Sequence, residues 1–248
     1  MASEYLKWKY RDVKPDEPVR LTRKEQVLNW WHYHKWYVLL GILLLGIGGS
    51  LVKSALHIGE IQPDYQFAFV ADEPLLADTV TALESALAEY GEDCNGDGKV
   101  TVRLNQYTGT GNVQTDNSDT AYYAYASEVT LMADLEDCES YFFILQDYET
   151  FQTDYAILRH LDGTLSDAGL TRDEKPIALQ WSDCPVLSGL ELGTYSESVG
   201  DQEISGDSQE LLSGFYFARR GFWTDRTVDN ADGCDILWDA LTRGAVTK

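Results

Sequence analysis

The densest run of metal-binding chemistry in the chain is Asp93-Cys94-Asn95-Gly96-Asp97-Gly98-Lys99. Asp93, Asn95 and Asp97 place an oxygen donor at every second position. The intervening glycines permit the tight turn that brings such donors around one hard cation, so calcium is the metal this pattern implies. A second reading needs no metal: Asn-Gly and Asp-Gly pairs supply the positive-φ positions of a helix-to-strand turn. The twelfth position counted from Asp93 is Leu104, where a calcium loop requires a bidentate carboxylate. Both readings stand at this level, with Asp93, Asn95 and Asp97 as the candidate ligands.

Other chemistry is sparse. There is no GxSxG, and Gly109-Thr110-Gly111 lacks both the third glycine of a dinucleotide loop and the lysine of a P-loop. His160 falls at a predicted helix end, where a surface or capping role is expected in place of a general base. The many carboxylates allow a glycosidase-like pair, but no pair stands out from the acidic background. No catalytic residue and no cofactor-binding residue is assigned, and the chain is not expected to be an enzyme.

Cys94, Cys138, Cys184 and Cys234 all follow a long apolar run, and no CxxC occurs. An even set of cysteines beyond an export segment favours disulfides over zinc. Their pairing depends on the elements that carry them. Residues 65–71 form an aromatic and aliphatic strand. Asp72 is placed to cap a helix in which Leu76, Val80, Leu83, Leu87 and Tyr90 recur at helical spacing. Residues 99–107 alternate as a strand. Residues 121–135 form a helix with Tyr122, Tyr125, Val129 and Met132 on one face. Residues 141–146 are apolar on both strand faces, the mark of a sheet covered on both sides. A short helix through Phe151, Tyr155 and Leu158 follows. Strands are expected at 176–181 and 215–222, separated by a long acidic loop, and a helix at 234–243 ends the series.

The alternation predicts an α/β fold: a largely parallel sheet with helices on both faces. Cys94 and Cys138 then each precede a strand, and Cys184 and Cys234 each follow one. The expected pairs are Cys94–Cys138 and Cys184–Cys234. The polar loop at 108–120 lies beyond a strand's carboxyl end, where open α/β sheets bind ligands.

Residues 36–52 are seventeen consecutive uncharged residues between Lys35 and Lys53. As an α-helix they cover about 25 Å, slightly less than the ~30 Å hydrocarbon core. An aromatic collar of Trp30, Trp31, Tyr33, Trp36 and Tyr37 extends the span into the interface. Thr22 with Glu25 three residues later forms a capping box, so one helix starts near Arg23. The charged stretch before the run is too long for an ordinary signal peptide, and an uncleaved anchor is expected. The division is a flexible cytoplasmic tail at 1–22, a juxtamembrane and transmembrane helix at 23–58, and an extracytoplasmic domain at 59–248.

Residues 1–35 carry a net charge of +3 and residues 54–248 one of −26. Arg20, Arg23, Lys24 and Lys35 on one side outnumber Lys53 on the other, which predicts a cytoplasmic N-terminus at the cell membrane. The acidic outer part excludes nucleic acid as a partner, because that surface needs cations. The partners expected are the lipid bilayer, through one helix, and a protein or small ligand outside.

The run WWHYHKWYVLLGILLL resembles the entry to the single span of membrane-anchored proteins from Clostridia-type Gram-positive bacteria. YQFAFVADEPLLADTVTALESALAEYGEDCNGDGKVTVRLNQY and YFFILQDYETFQ are similar to the strand–helix–turn–strand and strand–helix segments of an extracytoplasmic solute-binding protein in that context. The resemblance implies one lobe of such a fold and no activity. The function expected is a non-catalytic interaction or sensing module. The alternatives are a small-molecule or peptide binder and, behind it, a carboxylate-based hydrolase.

Overall fold

The structure, a computed structural model, describes residues 22–55, 62–109, 118–166, 175–199, 202–222 and 226–246. It divides into two units, residues 1–61 and 62–248. The tail at 1–21 and residues 56–58 of the expected membrane segment lie outside the described residues.

Among its described residues the first unit has one helix, α1 (Arg23–Ala55). Its start is the capping box expected from sequence: Thr22 N–H and Oγ1 donate to Glu25 Oε2, at 2.8 and 2.9 Å. Glu25 N–H returns a bond to Thr22 Oγ1 at 3.4 Å. These bonds satisfy N–H groups that the first helical turn leaves without partners. Arg23–Leu51 is long and apolar enough to cross a membrane, and none of its most apolar stretch is buried.

The second unit is built on a five-stranded, mostly parallel sheet in the order β2-β1-β3-β7-β4. Its elements are β1 (Tyr65–Ala71), α2 (Ala77–Ala88), β2 (Val102–Thr108), α3 (Ser118–Asp137), β3 (Phe142–Leu145), α4 (Tyr148–Tyr155) and β4 (Ala178–Gln180). After β4 come a 3₁₀ turn (Trp181–Asp183), α5 (Pro185–Ser188), the hairpin β5 (Thr194–Val199) and β6 (Gln202–Asp207), α6 (Ser208–Leu212), β7 (Tyr216–Arg219) and α7 (Ala231–Leu241). β1 pairs in parallel with β2 and β3. β7 runs antiparallel to both β3 and β4, so β1 to β4 point one way and β7 the other.

The period-two alternation of side chains sorts the sheet into two cores. Tyr65, Phe67, Phe69, Phe142, Ile144 and Phe217 face one side, where Leu83 and Leu87 of α2 and Leu237, Trp238 and Leu241 of α7 cover them. Ala68, Val70, Tyr107, Phe143, Leu145 and Ala218 face the other, beneath Leu131 and Leu135 of α3 and Phe151 of α4. Phe67 stacks on Phe142 with ring centroids 4.4 Å apart, and Trp238 stacks on Phe217 at 4.8 Å. Such pairs add about 0.5–1.5 kcal/mol each beyond the area they bury.

β2 is an edge strand, and its outward N–H groups would template pairing with another chain. Side chains occupy two of them: Leu104 N–H donates to Glu84 Oε1 and Thr108 N–H to Ser127 Oγ, both at 2.8 Å.

Four expectations are corrected. Asp72 does not cap α2, whose N-cap is Leu76 without a side-chain bond. The acidic stretch between β4 and β7 is not simply a loop, since it contains the β5–β6 hairpin and α6. His160 is 2% exposed and not a surface residue. Finally, β7 is antiparallel, which removes the basis for pairing Cys184 with Cys234.

Candidate functional site

β1 lies between β2 and β3. The chain leaves β1 for β2 on one side and then crosses to β3 on the other. The carboxyl ends of β1 and β3 therefore flank a topological switch point, where open α/β sheets leave a crevice. A cavity of about 200 Å³ occupies it, with Asp72, Gln146, Asp147, Thr150, Asp154 and Tyr155 among its lining.

The two strand ends are fastened by a side-chain amide. Gln146 Nε2 donates to Asp72 Oδ2 at 2.9 Å, and Asp72 N–H donates to Gln146 Oε1 at 2.8 Å. Next along the chain, Asp147 caps α4. Its Oδ1 accepts Glu149 N–H at 3.1 Å and Thr150 N–H at 3.0 Å, and its Oδ2 accepts Thr150 Oγ1–H at 2.7 Å. The Thr150 N–H, followed by the Thr150 hydroxyl, holds the Asp147 carboxyl below its ordinary range. Tyr155 is shifted upward by burial and then by the Glu128 and Asp154 charges.

This arrangement limits the chemistry. A helix N-terminus at a switch point is where an anionic ligand would bind. Here the chain's own Asp147 carboxylate takes that place. Among the described residues the lining has three aspartates and no lysine or arginine, so the field favours a cation or amine. A general acid needs a raised carboxyl, and Asp147 is shifted the other way.

A raised carboxyl does occur at Glu139, through burial and the Asp134 and Asp137 charges. Its neighbour Asp134 is fully engaged, however. Asp134 Oδ2 accepts Tyr107 Oη–H at 2.5 Å and Ser140 Oγ–H at 2.6 Å, and Oδ1 accepts Ser140 N–H at 2.9 Å. That leaves the pair without a free second carboxylate.

A different surface lies on α3. Tyr122, Tyr125, Val129 and Met132 are 69%, 66%, 48% and 51% exposed, and Tyr123 beside them is also exposed. The helical spacing that puts these four residues on one face puts Leu131 and Leu135 on the buried one. What distinguishes them in the sequence is that Leu131 and Leu135 are aliphatic and four residues apart, while the competing row is mostly tyrosine.

The Asp93–Lys99 segment is a turn closed by its own side chains. Asp93 Oδ1 accepts Gly96 N–H at 2.7 Å and Asp93 Oδ2 accepts Gly98 N–H at 2.8 Å. Asn95 Oδ1 accepts Asp97 N–H, and Asp97 Oδ1 accepts Lys99 N–H, both at 2.9 Å. Gly96 and Gly98 have φ of 77° and 86°, the conformation glycine was expected to supply. Asp64, which sequence reasoning missed, anchors the turn. Its Oδ1 accepts the N–H groups of Cys94 and Asn95, at 2.8 and 3.0 Å, and its Oδ2 that of Thr101 at 2.7 Å. Among the described residues, no group of three or more His, Cys, Asp or Glu side chains is placed to hold a metal ion.

All four cysteines are free thiols: Cys94 is exposed, and Cys138, Cys184 and Cys234 are buried. Neither Cys94–Cys138 nor Cys184–Cys234 is bonded. Burial pushes the Cys184 thiol up to about 11 and that of Cys234 up to about 12. Trp30, Trp31, Tyr33, Trp36 and Tyr37 are exposed along α1, with Trp30 stacked on His34 at 5.0 Å. Most of the polar loop expected at 108–120 falls outside the described residues.

No family model matches the chain, and neither a curated protein nor a solved structure matches it.

Proposed function

We propose that the chain is a non-catalytic interaction or sensing module, held at the cell membrane by α1 with the α/β unit outside. The observation that carries this reading is the exposed row Tyr122, Tyr125, Val129 and Met132 on α3. Large side chains at i, i+3, i+7 and i+10 form one continuous helical stripe, the geometry used to dock a partner. The orientation rests on the basic residues beside Trp36 and the net −26 charge beyond the span. Reporter fusions test it: alkaline phosphatase joined after Lys248 is active, and the same enzyme joined ahead of Met1 is inactive. The reverse pattern refutes the topology. For the surface, a photo-crosslinker at Tyr125 in intact membranes should yield a discrete adduct that Met132→Ser weakens. No adduct at Tyr125, with the chain correctly inserted, refutes the docking role.

A second reading, a small-molecule binder in the style of a solute-binding lobe, is favoured by the position of the cavity beside Asp72 and Asp147. Its size argues against this reading as the primary role, since ~200 Å³ is below the 300–1,000 Å³ typical of small-molecule sites. The carboxylate lining selects for a compact cation or amine. Titration of the full chain with small polyamines tests it, and Asp72→Asn together with Asp154→Asn should abolish any heat observed. Calcium at Asp93, Asn95 and Asp97 is a separate proposal, supported only by the spacing. Absence of heat at millimolar calcium removes it.

A further inference from the structure

The cysteines can be sorted by sheet edge and by the groups around each sulfur. β1 to β4 begin at one edge, and antiparallel β7 ends there. Cys94 follows α2, and Cys234 lies in the first turn of α7; both helices cover the same face of the sheet. Both cysteines also sit at the edge where β1 begins. Cys138 closes α3 at that same edge and belongs to the same core cluster as Tyr65 and Cys234, but its sulfur lies within electrostatic reach of Arg220, whereas the Tyr65 hydroxyl interacts with Cys94 and Cys234. Cys184 follows β4 at the far edge, beside the C-terminal end of α7, where Val246 N–H donates to Asp183 O at 3.1 Å. Along α7, Cys234 is about 10 Å from Leu241, beyond the ~7 Å limit for bridging cysteine Cα atoms.

Local contacts converge on Tyr65, the first residue of β1. Asp64 fixes the Cys94 backbone beside it, and the Tyr65 hydroxyl is 3.3 Å from Cys94 Sγ. Cys234 is 3% exposed within the same core cluster as Tyr65, and the Tyr65 hydroxyl lies within electrostatic reach of both sulfurs. Tyr141, whose N–H donates to Gln66 O next to Tyr65, donates its hydroxyl to Asp235 Oδ1 at 2.5 Å. That bond pins the first turn of α7 against the start of β1 and β3.

We infer that Cys94 and Cys234 form an oxidisable pair whose disulfide ties the Asp93–Lys99 turn to α7. The oxidant is a disulfide compound, either a protein dithiol oxidase or a low-molecular-weight disulfide. The exposed Cys94 thiolate attacks one of its sulfurs, forming a mixed disulfide and releasing the first reduced thiol. Cys234, deprotonated, then attacks Cys94 Sγ and displaces the second. Two protein thiols and one oxidant disulfide become one protein disulfide and two reduced thiols.

The test uses the full chain in detergent micelles, which makes it independent of membrane topology. The protein is treated with oxidised glutathione, quenched with iodoacetamide, digested without reductant and mapped by mass spectrometry. The expected product links the Cys94 peptide to the Cys234 peptide and is converted back to alkylatable thiols by dithiothreitol. The link persists in a Cys138→Ser/Cys184→Ser variant and is lost in Cys94→Ser. A main product joining Cys94 to Cys138, or Cys184 to Cys234, overturns the assignment. So does full alkylation of both Cys94 and Cys234 after oxidation. The wild-type map decides the matter alone if a variant fails to fold.

Discussion

Tyr107, on β2, donates its hydroxyl to Asp134 on the last turn of α3 at 2.5 Å, and both residues are buried. The bond joins an edge strand to the helix covering it and supplies one donor to a buried carboxylate. Tyr107→Phe removes that donor while keeping the ring. Oδ2 keeps the Ser140 hydroxyl, so the loss is one hydrogen bond to a charged group, about 1.5–3 kcal/mol, and the urea midpoint should fall with the slope unchanged. The hydroxyl is pushed well above its ordinary range, first by burial and then by the bond to Asp134. A proton held more tightly in the folded chain stabilises it fully below about pH 10, and that contribution is lost as pH rises further. Stability should therefore decline above about pH 10, and Tyr107→Phe should make the decline shallower.

Ala156 ends α4 in the left-handed region, at φ 52° and ψ 41°, with its N–H donating to Gln152 O. An alanine there carries a steric cost of about 1–2 kcal/mol that glycine escapes. Glycine gives back part of the gain as chain entropy. Ala156→Gly should raise stability by roughly 0.5–1 kcal/mol, visible as a higher melting temperature. An unchanged or lower value would mean that the Ala156 methyl contributes packing that outweighs the backbone relief.

The orientation of α3 is testable through a pair of substitutions with opposite expectations. Leu131 is fully buried, and Leu131→Ala should cost about 2–5 kcal/mol through lost contacts and the cavity left behind. Tyr122→Ser and Met132→Ser on the outward face should change stability by no more than about 0.5 kcal/mol. Chemical denaturation of the three variants distinguishes this helix from one rotated to bury Tyr122 and Tyr125.

Elements whose burial pattern differs from every alternative were legible in the sequence. The apolar runs at β1 and β3 identify themselves because few arrangements hide both faces of a strand. The Thr22–Glu25 capping box is equally local, and its bonds form where the spacing places them. Strand direction was not legible. β7 carries the same kind of apolar pattern as a parallel strand, and only its pairing with β3 and β4 reveals that it is reversed. That reversal moves Cys234 to the other edge of the sheet, so one unread direction redirected a disulfide expectation. The switch-point cavity was also obscured, because Asp72, Gln146 and Asp147 belong to segments separated by two crossovers and have no joint spacing to detect. Asp64 escaped notice for the same reason, being 30 residues from Cys94 in sequence.

Asp147 allows the capping and charge contributions at α4 to be separated. Its carboxylate accepts two backbone N–H groups and the Thr150 hydroxyl, so Asp147→Ala should destabilise the chain by about 1 kcal/mol near neutral pH. Asparagine keeps an acceptor oxygen and caps nearly as well, so Asp147→Asn should lose only a few tenths of that. The pH dependence separates the two effects. The folded carboxyl is held below its ordinary range, so its ionised form stabilises the chain above the unfolded value of about 4. That part disappears as pH falls through the folded value. The gap between wild type and Asp147→Asn should therefore close on acidification, while Asp147→Ala stays less stable than Asp147→Asn throughout. A gap that is constant from pH 7 to pH 3 would mean that the carboxylate acts at α4 only as a hydrogen-bond acceptor.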